Sequence, residues 1–247
     1  MRKLSSPRRL SVETLLMVFT AICANAMSGH AQQTIFNVPS SDVLFRGSLY
    51  SELDVSFKPN GDAGNAVGKF SSFVPRVVVG AGKGVEVGLN VMGNVQPGAD
   101  TTTLVPAFKW KAYDNGKKGW AVVVGNDLFI PVRNKTYNFG GYFYAQVSKT
   151  FKTKTRLTIG SYLFTKDVVA PDAVRAGGQF GFEQPVNERV GLAADWFTGK
   201  HAAGYFTPGF TFKPHAKVTG YVAYSIGNQN AARGNHFFLL EVGYNIK

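Results

Sequence analysis

From Gly47 to the end of the chain, apolar and polar residues trade places with a period of two. The stretch Phe73 to Val91 shows it most plainly: Phe73, Pro75, Val77, Val79 and Ala81 fall on one face, with Arg76 on the other. In the second arm Val85, Val87, Leu89 and Val91 oppose Glu86, Gly88 and Asn90. Successive side chains on a strand point to opposite faces, so each arm predicts a strand with one apolar and one polar side. Gly82-Lys83-Gly84 between them predicts a tight turn, because glycine accepts positive φ without a steric penalty.

The same unit recurs along the chain and predicts about twelve strands. Trp120 to Ile130 is the least regular, since Asn126 falls on its apolar face; a bulge is expected there. Three strands carry an internal proline in a shared pattern: Phe73-x-Pro75-x-Val77, Leu104-x-Pro106-x-Phe108 and Phe206-x-Pro208-x-Phe210. Proline cannot donate to a sheet ladder, so bulges or bends are expected at these sites as well. Connections alternate between longer ones (58–69, 95–102, 133–138, 165–173, 199–203, 228–234) and mostly shorter ones (82–84, 114–119, 150–154, 186–188, 214–216). An up-and-down barrel with two unlike rims has this arrangement.

Size decides which face meets what. A dozen strands enclosing an apolar interior would leave a space that Gly, Ala and Val do not fill, whereas the same residues turned outward meet lipid. The expected fold is therefore all-β, a transmembrane antiparallel up-and-down barrel, with a two-sheet soluble sandwich as the alternative. Phe57, Phe73, Trp110, Trp120, Trp196 and Tyr244 sit near strand ends on the apolar face, as an interfacial girdle requires. The polar face would then line the lumen. Lys109, Lys111, Arg156, Arg189, Lys213 and Lys217 fall near one end of their strands, as a basic ring. Glu52, Asp54, Arg76, Glu86 and Asp127 are expected on the same inner face, as are Arg175, Glu183, Asp195 and Glu241. Six tyrosines also point inward (Tyr50, Tyr142, Tyr144, Tyr162, Tyr205, Tyr221), enough to close a lumen.

Composition adds a compartment. Arg2, Lys3, Arg8 and Arg9 precede an apolar run, Thr14 to Ala24, too short to span a bilayer. Small residues follow, so residues 1–31 read as a secretory signal peptide with cleavage after Ala31. Residues 32–43 lack a period and read as an N-terminal periplasmic leader; residues 44–247 read as the barrel. The net charge is +12; removing the signal leaves 23 basic against 14 acidic residues. In an exported chain this favours anionic solutes or lipid headgroups, and no basic run interleaved with aromatics suggests nucleic acid.

The signal, the alternating strands and the ending Phe238-Leu-Leu-Glu-Val-Gly-Tyr-Asn-Ile-Lys247 resemble a Gram-negative outer-membrane β-barrel of the porin-like kind. Glu241-x-Gly243-x-x-Ile246 is similar to the terminal signal that such barrels present to their assembly machinery, although many of them end on an aromatic residue and this chain on Lys247. The resemblance implies an outer-membrane location, with lipid and the assembly machinery as partners. A barrel too wide to fill easily, with a polar inner face, points to a passive or weakly selective channel for small hydrophilic solutes. The basic ring adds a modest anion preference. A non-conducting structural or adhesive barrel is the alternative, and a barrel hydrolase the next.

Enzyme chemistry finds little support in the sequence. Gly80-Ala-Gly-Lys-Gly84 lacks the Ser or Thr of a phosphate loop and precedes a strand. No serine–histidine spacing suggests a nucleophile, and no catalytic residue is assigned. Asp195 and His201 are the one carboxylate–base pair whose positions allow a meeting at a rim. The histidines and carboxylates show no metal-ligand spacing, so neither metal nor cofactor is expected.

Overall fold

The computed structural model describes residues 34–57, 70–92, 102–133, 138–228 and 236–246. Twelve antiparallel strands follow one another in chain order: β1 (Leu49–Phe57), β2 (Phe70–Gly82), β3 (Val85–Met92), β4 (Thr102–Asn115), β5 (Trp120–Arg133) and β6 (Gly140–Thr150) form one half. β7 (Arg156–Phe164), β8 (Ala176–Pro185), β9 (Val190–Phe197), β10 (Tyr205–His215), β11 (Val218–Gly227) and β12 (His236–Asn245) form the other. Each pairs with its sequence neighbours, and β1 pairs with β12 to close the barrel.

The period of two sets the walls. Val77, Val87, Leu89, Phe108, Ile159 and Phe180 stand exposed on the outside, while their neighbours Val78, Glu86, Asn90, Lys109, Thr158 and Gln179 are buried inside. Between β2 and β3, Gly82, Lys83 and Gly84 all take positive φ (90°, 54° and 74°). The turns after β2, β4, β6, β8 and β10 lie at one rim with the start of β1 and the end of β12; the links after β1, β3, β5, β7, β9 and β11 lie at the other. Trp110, Trp120 and Tyr244 are exposed near the short-turn rim, Trp196 is exposed near the long-link rim, and Phe57 and Phe73 lie half-buried there.

Two local expectations change. No bulge interrupts β5 at Asn126, which keeps continuous register with Phe143 on the outer wall. The β4–β5 register shifts instead between Lys111 and Tyr113, where an extra residue in β4 re-aims the strand near the turn, and again between Thr102 and Thr103, where the extra residue, Val132, lies in β5. The prolines cause no bulge either. Pro106 pairs with Leu89 on one side, while the β4–β5 ladder skips from Leu104↔Ile130 to Ala107↔Asp127 without changing register. Pro208 pairs with Ala194, and the β10–β11 ladder skips from Phe206↔Ile226 to Gly209↔Ala223. Pro75 pairs with Leu53, and the β2–β3 ladder begins one residue later, at Arg76↔Asn90. Each proline thus forfeits a link on one side only, and the sheet tolerates it.

Candidate functional site

The largest departure from expectation is the segment before β1. Its described part, residues 34–43, does not form a periplasmic leader; it lies inside the barrel. From Arg46 at the short-turn rim the chain runs into the lumen and folds back over residues 34–39, closed by a Thr34–Pro39 bridge and an Ile35 N–H donating to the Val38 carbonyl at 2.7 Å. Ile35, Phe36, Val38, Ser40, Ser41 and Leu44 are all buried. Ile35 and Phe36 pack on Ala193, Tyr221, Ala223 and Leu239; Val38 packs among Tyr142, Tyr144, Tyr162, Phe164 and Phe197; Leu44 packs on Tyr50 and Val78. The wall makes room with small residues. A Cβ at Gly181 would collide with the Ile35 side chain, and one at Gly80 with the carbonyl of Phe45.

Polar contacts latch the plug. One carboxylate oxygen of Asp195 accepts the N–H groups of Phe36, Asn37 and Val38 at 2.9, 2.6 and 2.7 Å. The fold-back makes this possible, because successive amides turned one way form an anion-binding concavity. Asn37 adds a bond to Thr207 at 2.9 Å. Lower down, the Leu44 N–H donates to Glu86 at 2.9 Å, and Glu86 is paired with Lys109 at 2.8 Å, both side chains fully buried. Arg156 grips Asp42 through both terminal nitrogens, at 2.8 and 2.9 Å, and Glu183 through its other edge.

These contacts redistribute the expected basic ring. Lys109 and Arg156 face the lumen but are paired, and Lys111 is paired with Asp114 at 3.3 Å close to the turn. Lys213 lies on the inner wall at the mouth, while Arg189 and Lys217 sit in short turns; these three carry no ion pair among the described residues. Arg175 precedes β8 and is exposed at the long-link rim, so it is not a wall residue. At the short-turn mouth a cavity of about 490 Å³ stays open beside the plug. Its charged lining is Lys154, Arg156, Arg189 and Lys213 against Asp42, Glu183 and Glu188. Past the mouth the sign changes: among the described residues, Glu52, Asp54, Asp127, Asp195 and Glu241 face Arg76 alone, beyond the neutral Lys109–Glu86 pair.

The long-link half is filled by rings. The six tyrosines expected to point inward are all buried. Tyr142, Tyr162, Phe164, Phe197 and His201 form one packed group, with Tyr162 and Phe197 centroids 4.5 Å apart. His201 does not meet Asp195, whose hydrogen bonds go to the plug. The imidazole Nε2 instead lies 2.8 Å from the Thr198 carbonyl and 3.0 Å from the Tyr162 hydroxyl, and Nδ1 accepts the Ala203 N–H at 3.2 Å. Both ring nitrogens are used by the neutral form, and burial holds the imidazole pKa below its ordinary value, the Thr198 carbonyl opposing. The Asp195–His201 meeting that the sequence allowed is therefore not made, and the two do not form an acid–base pair.

The sequence reading missed the plug and the role of Asp195. One signal was available: Ile35, Phe36, Val38 and Leu44 are too apolar for a segment bathed in water.

No protein-family profile matches the chain, and no curated protein matches it in sequence. Solved structures do match in shape. The KdgM porin superposes with a TM-score of 0.54 at 9% identity, covering 80% of this chain and 99% of that one. The same porin in complex with disordered oligogalacturonate gives 0.53 at 8%, covering 81% and 99%. An outer-membrane channel from Pseudomonas putida F1 gives 0.50 at 12%, covering 84% and 98%. With its closed ring of twelve antiparallel strands, this chain has a porin-like β-barrel fold.

Proposed function

We propose that this protein is an outer-membrane channel for small hydrophilic solutes, held closed at rest by residues 34–45. The observation that carries the reading is the lumen itself: a lipid-suited outer wall surrounds a charged bore, and the segment filling that bore belongs to the chain's own N-terminal side. Its latches are largely hydrogen bonds and ion pairs, which water can replace when the segment leaves. In this reading lipid surrounds the barrel, the assembly machinery receives the β12 segment, and the chain is not an enzyme. Solutes would enter through the basic mouth, where Arg189, Lys213 and Lys217 give a modest anion preference that fades as salt screens it.

The test is conductance and reversal potential in a planar bilayer across a potassium chloride gradient. Wild type should stay mostly closed with rare openings, and Asp195→Ala should raise the open time. Arg189→Glu with Lys213→Glu should then move the reversal potential of the open state toward cations. A barrel that never conducts, even with Asp195 and Arg156 both replaced by alanine, would support the second reading: a permanently closed structural barrel, which the six buried tyrosines favour.

A further inference from the structure

The seam that closes the barrel gathers three carboxylates. Asp54 on β1 stands directly opposite Glu241 on β12, and Glu52 lies two residues before Asp54 on the same inner face. One oxygen from each lies within 4.8 Å of the others. Tyr50 donates to Glu52. Arg76 is the counter-charge, 2.6 Å from Glu52 and 3.0 Å from Asp54, with its Nε held by Asn90 at 3.0 Å and a terminal nitrogen 3.3 Å from the Thr34 hydroxyl.

Arg76 neutralises one of the three negative charges, so a deficit of two remains among largely buried side chains. Glu241 is 2% exposed; its Oε2 and the Asp54 Oδ1 are buried without a hydrogen-bond partner. An uncompensated buried carboxylate is strongly unfavourable, so the oxygens call for a cation or for protons. The donors are all hard oxygens, which excludes the soft metals. Oxygens sharing a calcium ion at 2.3–2.6 Å lie up to about 5 Å apart, whereas magnesium demands a tighter, near-ideal octahedron.

We propose that Glu52, Asp54 and Glu241 bind a calcium ion at the β1–β12 seam. Two of the three carboxylates keep a buried oxygen without a hydrogen-bond partner, and the missing charge is that of a divalent cation. The site pins the closing strand pair next to the Thr34 end of the plug. It stands independently of whether the lumen conducts.

The experiment uses the full barrel folded in detergent, stripped with chelator and titrated with terbium under tyrosine excitation, since Tyr50 touches a ligand. Wild type should give saturable sensitised emission that calcium displaces at least tenfold more effectively than magnesium. Glu241→Gln should weaken terbium binding at least tenfold, while Asp172→Asn, at an exposed link, should leave it unchanged. Heat-modifiable migration on a gel reports that each variant is folded; if Glu241→Gln does not fold, Asp54→Asn takes its place. Absence of saturable emission from wild type, or equal binding by the seam variant, overturns the proposal. In that case the carboxylates are satisfied by shared protons.

Discussion

Replacing Asp195 with alanine should release the plug while leaving the wall standing. The substitution removes the shared acceptor of three amide donors, at 2.9, 2.6 and 2.7 Å, and leaves two of them buried and the Asn37 amide partly buried without that partner. A hydrogen bond to a charged group contributes about 1.5–3 kcal/mol, and a buried donor left unsatisfied costs about 1–3 kcal/mol. The three share one oxygen and are not additive, so about 3 kcal/mol is a conservative loss, or somewhat more than a hundredfold in the open population. Water offsets little of this in the closed state, because Phe36 and Val38 are buried and only Asn37 is partly exposed. Arg156→Ala should act more weakly. Its partner Asp42 is 37% exposed at the side chain, so solvent screening reduces that latch to about 1 kcal/mol. The assay places a cysteine at Ser41, which is 4% exposed, in a chain whose only other cysteine is Cys23 in the expected signal segment. A polar thiol reagent should label the Asp195→Ala background about a hundredfold faster than wild type, and the Arg156→Ala background only a few-fold faster. Equal rates in all three folded barrels would refute the claim that these bonds hold the segment in place.

Three further outcomes follow from other parts of the molecule. Lys109→Met strands the buried Glu86 carboxylate and should destabilise the barrel by about 3–5 kcal/mol in urea unfolding, with Glu86→Gln in the same chain recovering most of the loss. Leu89→Arg on the outer wall should cost about 2–4 kcal/mol in lipid vesicles, while Thr211→Lys on the cavity wall should cost little; equal costs would contradict the assigned faces. For His201 the folded pKa lies below the free value of about 6.5, so its contribution is complete above that pH and is lost as pH falls from there toward the folded pKa. Melting of wild type should therefore drop between pH 7 and pH 5 more than that of His201→Phe, and parallel pH dependence would remove the histidine from the account.

The walls were legible because strand geometry writes itself into sequence. Phe73 to Val91 displays both faces and its turn without reference to any other segment. The plug was illegible for the converse reason. Ile35, Phe36, Val38, Ser40, Ser41 and Leu44 are buried against different parts of the wall, so the segment reserves no single face for water and shows no period; partners such as Asp195 lie more than 150 residues away. The seam cluster required closure as well. Glu52 and Asp54 share a face by simple alternation, but Glu241 joins them only through the β1–β12 register. The prolines misled because strand rules count lost donors, whereas each of these three loses its link on one side of an otherwise paired strand.

The change of sign between mouth and bore has an electrical consequence. Basic groups line the short-turn mouth, and an acidic stretch follows beyond it. With residues 34–45 withdrawn, Asp42 leaves the mouth, and Asp195 faces water, so the contrast sharpens. Anions collect in one stretch and cations in the next. Voltage of one polarity drives both toward the junction and fills it with carriers; the opposite polarity empties it. On the proposed channel reading, the open pore would act as an ionic diode, its current–voltage curve bent at low salt and straightening as screening erases the two fixed charges.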